Sequence, residues 1–137
     1  MMTKLISIAI ALLVTLGGGW LWGASGRWAT ERARQALELR QELVEGRSAV
    51  LDARLDVYTV NFGEASRHLE SARGLLRLAD ERLKRVGRVD EVSQVQTALT
   101  RIDDAQHLAG QLDQSANSRA GEAARLIADV LDAEAKR

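Results

Sequence analysis

Residues 62–86 read FGEASRHLESARGLLRLADERLKRV, and this stretch decides the fold. Ala65, Leu69, Ala72, Leu76, Ala79, Leu83 and Val86 recur at alternating spacings of four and three, a seam sustained over three heptads. Alternating Ala with Leu along such a seam lets a neighbouring helix approach closely. Asn61 stands ahead of the segment with Glu64 three residues on, a capping-box pattern. Arg82, Lys84 and Arg85 occupy the last turn, where positive charge complements the helix dipole, and Gly87 follows as the residue after the C-cap.

The same periodicity extends in both directions. Upstream, from about Trp28 to Val60, apolar pairs recur every seven residues at Ala36/Leu37, Leu43/Val44, Val50/Leu51 and Val57/Tyr58. Downstream, a third helix is expected from near Asp90, with an apolar face of Val92, Val95, Leu99, Ile102, Ala109 and Leu112. Residues 113–118 form a polar turn in which Asn117 or Ser118 is the expected cap. A fourth helix carries Ala120, Ala123, Ala124, Ile127, Val130 and Leu131 on one side. Short turns make successive helices antiparallel neighbours. Composition agrees: proline is absent, where average usage would place about seven in such a chain, and helix breakers are therefore scarce.

Ahead of these helices, Leu5–Trp22 carries no charge and the uncharged stretch continues to Gly26. That length just suffices to cross a hydrocarbon core of roughly 30 Å. Lys4 and Arg27 bracket it, and all three tryptophans, at 20, 22 and 28, fall at one end, where an interfacial belt belongs. A signal peptide is the competing reading, but the chain stays apolar beyond Gly17–Gly19 and offers no good small-x-small cleavage site. Gly19 and Gly23 form a GxxxG at which two anchors would pack.

The expectation is thus an all-α protein. A single N-terminal transmembrane helix (1–26) precedes a helical stalk (27–46) and a domain (47–137) in which the long helix and three shorter ones pack as an antiparallel bundle or hairpin array. The membrane would be the inner membrane of a bacterial-type cell, with the bilayer contacted by residues 5–26. Arg27, Arg32 and Arg34 tilt the count of positive charges towards a cytoplasmic bundle, while a short lysine-bearing N-terminus pulls the other way.

Phe62-Gly63-Glu64-Ala65, followed by Leu69 and Ala72, resembles the turn and second helix of a tetratricopeptide repeat over about a dozen residues. That family requires apolar residues where Asp52 and Asp56 stand here. Partial echoes at Val89-Asp90-Glu91-Val92 and Gly121-Glu122-Ala123 keep spacings of 27 and 31, not the repeat's 34. A tight αα-hairpin has the same turn needs, and no family is assigned.

Chemistry is mostly excluded. With no cysteine there is no disulfide, thiol nucleophile or thiolate-bound metal. No phosphate loop, GxSxG or HExxH occurs. An enzyme is not expected, nor is a cofactor. The balance of 19 basic and 19 acidic residues argues against nucleic acid. The two histidines, His68 and His107, fall at one level of a hairpin between helices two and three, each an i,i+4 neighbour of an acid, Glu64 and Asp103. A divalent-metal site there is the minor alternative to ordinary helix-surface pairs.

The expected function is a scaffold, adaptor or accessory subunit that binds protein. Arg40, Arg47 and Arg54 recur every seven residues within the apolar stripe of the first helix. They either lay their stems on the core or meet acidic groups of a neighbouring helix or partner. With Tyr58 and Phe62 they form the candidate partner surface. A parallel homodimer through the long first helix and Gly19/Gly23 is the structural alternative.

Overall fold

The computed structural model describes the backbone of residues 2–136 and the side chains of residues 29–136. Four helices follow one another, α1 (Met2–Tyr58), α2 (Phe62–Arg85), α3 (Val89–Gly110) and α4 (Ala116–Ala135), with no strand among the described residues. The chain divides into two compact units, Met1–Ala36 and Leu37–Arg137. In the first, residues 29–36 are all exposed, and Gln35 donates to Glu31 at 3.0 Å one turn away. The membrane span expected over residues 5–26, with Gly19 and Gly23, lies outside the described side chains. Among the described residues no helix is long and apolar enough to cross a membrane.

The second unit is an antiparallel four-helix bundle, and its polar links show the order of helices around it. Arg82 of α2 reaches Glu38 and Glu42 of α1. Arg73 of α2 reaches Asp103 of α3, Arg101 of α3 reaches Glu122 of α4, and Arg54 of α1 reaches Asn117 of α4. Each helix therefore flanks the next, and α4 closes the ring onto α1. Leu39, Glu42 and Leu43 are buried, so packing begins within the stretch 27–46 expected to be a stalk.

The α2 seam is as expected: Ala65, Leu69, Ala72, Leu76, Ala79 and Leu83 are fully buried. The α1 seam is not. Its buried positions are Leu39, Leu43, Gly46, Val50, Ala53 and Val57, while Leu37, Val44, Leu51 and Tyr58 point outward. Each of the expected pairs after the first therefore contributes one residue to the core and one to the surface. The larger residue does not choose the side, because small residues are what the close helix approach demands. At Gly46 a Cβ would sit 3.3 Å from Leu76 Cδ2 of α2.

Helix ends supply a second correction. Three chain reversals use the same device, a pair of backbone hydrogen bonds around one left-handed residue. Gly87 (φ 72) does so after α2, with Gly87 N–H donating to Lys84 and Arg88 N–H to Leu83. Val60 (φ 62) does so after α1, with Val60 N–H to Val57 and Asn61 N–H to Asp56. Leu112 (φ 58) does so after α3, with Leu112 N–H to Ala109 and Asp113 N–H to Leu108. Val86 and Leu112, expected on the apolar faces, lie past their helix ends and are 55% and 70% exposed. The capping box is not formed either. Asn61 makes no side-chain cap, and Glu64 pairs with Arg67. The third helix begins at Val89, beside the expected Asp90. Before α4 the side chain that turns the chain is Asp113, whose Oδ1 accepts the Ser115 N–H at 2.8 Å. That bond holds the Asp113 carboxyl below its usual pKa.

A branched residue held at positive φ costs about 1–2 kcal/mol. Val60 and Leu112 are both exposed, so little packing is lost when they are replaced. Val60→Gly and Leu112→Gly should each raise stability by about 1 kcal/mol in chemical denaturation. Conversely, Gly46→Leu should lower it by about 1–3 kcal/mol through overpacking. Gly74→Ala should raise it by about 0.5–1 kcal/mol, since Gly74 is mid-helix with nothing within 4 Å of an added Cβ.

Candidate interaction surface

The outer side of α1 divides into three lanes. Along the edge facing α4 run the three arginines. Arg40 is exposed, Arg47 is half-buried with Nε donating to the Ala124 carbonyl at 3.4 Å, and Arg54 is locked in place. Arg54 Nε donates to Asn117 Oδ1 at 2.9 Å, and Asn117 Nδ2 donates back to the Arg54 carbonyl at 3.4 Å. Gly121 makes room for that guanidinium, since a Cβ there would lie 3.3 Å from Arg54 Cζ. Two of the three candidate arginines therefore serve the closure of α4 onto α1. The neighbouring helix meets them through a carbonyl and an amide rather than through acidic groups.

Along the edge facing α2 run acids. Arg82 Nε donates to Glu42 Oε1 at 2.8 Å and Oε2 at 3.0 Å, and its Nη1 reaches Glu38 at 2.8 Å. Hydrogen bonding to Glu42 raises the guanidinium pKa above its usual value. Glu45 and Asp52 continue this edge in the open.

Between the two edges lies the outward row: Leu37 (68% exposed), Val44, Leu51, Leu55 (63%) and Tyr58 (77%), with Gln41 and Ser48 exposed between them. Of the two candidate aromatics, Tyr58 stands on this row, while Phe62 is buried beneath the first turn and offers no surface. Leu37, Val44, Leu51 and Tyr58 of this row belong to the seven-residue repeat, Leu55 does not, and of these residues only Tyr58 is expected at the partner surface from the sequence.

The histidines do not come together as metal ligands. His68 Nδ1 meets Asp56 Oδ2 at 2.7 Å across the first turn, and His107 Nε2 lies 3.1 Å from Gln111. Asp103 is engaged by Arg73. Among the described residues no group of three or more acids or histidines is placed to hold a metal. On the second hairpin, Glu70 accepts from Arg73 and from Gln106, which holds its pKa below the usual carboxylate range. The concavity beside Arg101, Glu122 and Arg125 on α3 and α4 is an open one, without the enclosure of a small-molecule site.

Comparison of the chain with protein families, with characterised proteins and with solved structures finds no match.

A half-buried side-chain hydrogen bond contributes about 0.5–1.5 kcal/mol. In a double-mutant cycle with Arg54→Gln and Asn117→Ala, the two changes should couple by about that amount. A coupling near zero would show that the pair does not secure α4.

Proposed function

We propose that the chain is a membrane-anchored, non-catalytic helical scaffold that docks protein along the outward row of α1. The observation that carries this reading is the row itself: five apolar side chains aligned on one exposed lane of a helix whose opposite side already fills the core. Scattered exposed leucines are ordinary on a protein surface, whereas an aligned strip of this length is the mark of a contact site. The anchor is supported by the uncharged stretch 5–22, its flanking Lys4 and Arg27, and the clustered tryptophans. The inner membrane of a bacterial-type cell fits such a chain. Tethering confines the row to the membrane surface and raises the effective concentration of a weakly held partner. The balanced total charge leaves nucleic acid without support.

A photoreactive amino acid in place of Tyr58, in the full chain in cells, tests this reading. A discrete adduct from position 58, absent from position 97 on α3 and diminished when residues 5–22 are removed, is the expected result. Equal labelling from both positions, or none from 58, would defeat it.

A further inference from the structure

We infer that the occupant of the outward row is a second copy of this chain, bound side by side in parallel through residues 37–58 of α1. The inference rests on the docking role given to that row and names its partner.

The row has coiled-coil spacing. Leu37, Gln41, Val44, Ser48, Leu51, Leu55 and Tyr58 succeed one another at steps of four and three. A strict seven-residue repeat keeps a strip in register with a supercoiling partner helix, whereas a strip meant for a flat surface drifts at 3.6 residues per turn. Leu37, Val44, Leu51 and Tyr58 take the d positions of that heptad. Gln41, Ser48 and Leu55 take the a positions.

The flanking charges then fix partner and direction. Arg40, Arg47 and Arg54 each fall one residue before an a position, and Glu38, Glu45 and Asp52 each fall one residue after a d position. These are the g and e positions that border a coiled-coil seam. In a parallel pair, a g residue faces the e residue five positions on in the partner helix. Arg40 then meets Glu45 of the other copy, Arg47 meets Asp52, and symmetry repeats each pair. In an antiparallel pair the basic lanes would face each other and the acidic lanes likewise. One helix thus carries both halves of its own complement, and only the parallel arrangement uses them. Arg40, Glu45 and Asp52 are exposed; Glu45 also accepts from Gln41 at 2.8 Å within its own helix, an exposed bond that leaves its second carboxylate oxygen for such pairing. The half-buried Arg47 also touches the Ala124 carbonyl, so its contribution is the smaller. A lipid surface is the poorer occupant, because an acidic lane along one side of the row opposes anionic headgroups. The polar Gln41 and Ser48 within the seam favour a defined register over tight binding.

The chain has no cysteine, which makes the test direct. Leu37→Cys, Leu51→Cys and, as a control on the far helix, Thr97→Cys are introduced singly into the full chain. Each is oxidised in whichever cell fraction holds the protein. Disulfide-linked species at twice the 15.0 kDa chain mass from positions 37 and 51, but not 97, are expected. Leu37→Glu/Leu55→Glu should abolish dimerisation with helicity unchanged, both positions being exposed. Arg40→Glu should weaken it about threefold, since exposed pairs are individually small, and Arg40→Glu/Glu45→Arg should restore it. The inference is overturned by no dimer at 37 and 51, by equal crosslinking at 97, or, when Leu37→Cys and Tyr58→Cys chains are mixed, by coupling of 37 to 58 in preference to itself. An adduct from position 58 of a mass other than the doubled chain would leave the docking surface standing and assign it to a different protein.

Discussion

The bundle depends on how closely its helices approach. Gly46, Ala53, Ala65, Ala72, Ala79, Ala98, Ala105, Ala109, Ala120, Ala123 and Ala124 are all buried, and several stand between larger core residues, as Ala72 does between Leu69 and Leu76 and Ala98 between Val95 and Ile102. Such a core has few large side chains to bury, so each must be enclosed completely, as Leu43, Leu69, Leu76, Ile102 and Ile127 are. At roughly 25 cal/mol per Å² of apolar surface removed from water, a fully enclosed leucine or isoleucine contributes about 1.5–3 kcal/mol. A small residue opposite it is what lets the enclosure close without a void. The same closeness brings helix edges within reach of one another, so that Arg82, Arg73, Arg101 and Arg54 bridge successive interfaces with short polar links.

The seam of α2 was legible from Ala65 to Leu83 because its large and small members alternate there. α1 was legible as a helix but not in phase. It carries two apolar heptads on opposite sides, and the outer one holds the bulkier residues. Hydrophobicity alone ranks Leu37, Val44 and Leu51 above Gly46 and Ala53, whereas close packing reverses the order. A better sign was available: the phase that puts small residues at every second seam position matches the neighbouring helix, and the other phase does not. Val86 and Leu112 misled for a different reason. Nothing in their spacing announces a helix end, and left-handed valine and leucine are rarely chosen for the residue after a C-cap.

The candidate surface was legible in part. The sequence placed Arg40, Arg47 and Arg54 on one strip with acids farther round, and the structure separates them by their neighbours. Arg54 is tied to Asn117 and Arg47 leans on the α4 backbone, while Arg40 stays free of the bundle's interior. The polar turn offers Asn117 or Ser118 as a cap, and no local pattern links Asn117 to a residue 63 positions earlier. In the sequence Asp56 is a polar residue where the repeat family has an apolar one. Its partner is His68, reached across a tight turn whose geometry no local propensity records.

The ring of helices closes through contacts of very different reach along the chain. The α1–α2, α2–α3 and α3–α4 interfaces each join neighbours in sequence, whereas the α1–α4 interface joins residues 63 and 77 apart at Arg54–Asn117 and Arg47–Ala124. Synthesis proceeds from the N-terminal side, so the first hairpin is complete while α4 is still inside the ribosome. During that interval the flank of α1 that carries Arg47 and Arg54, which α4 will cover, lies bare. The nascent chain therefore exposes two lanes on one helix, that flank and the outward row, and only the flank is later sealed by the chain itself.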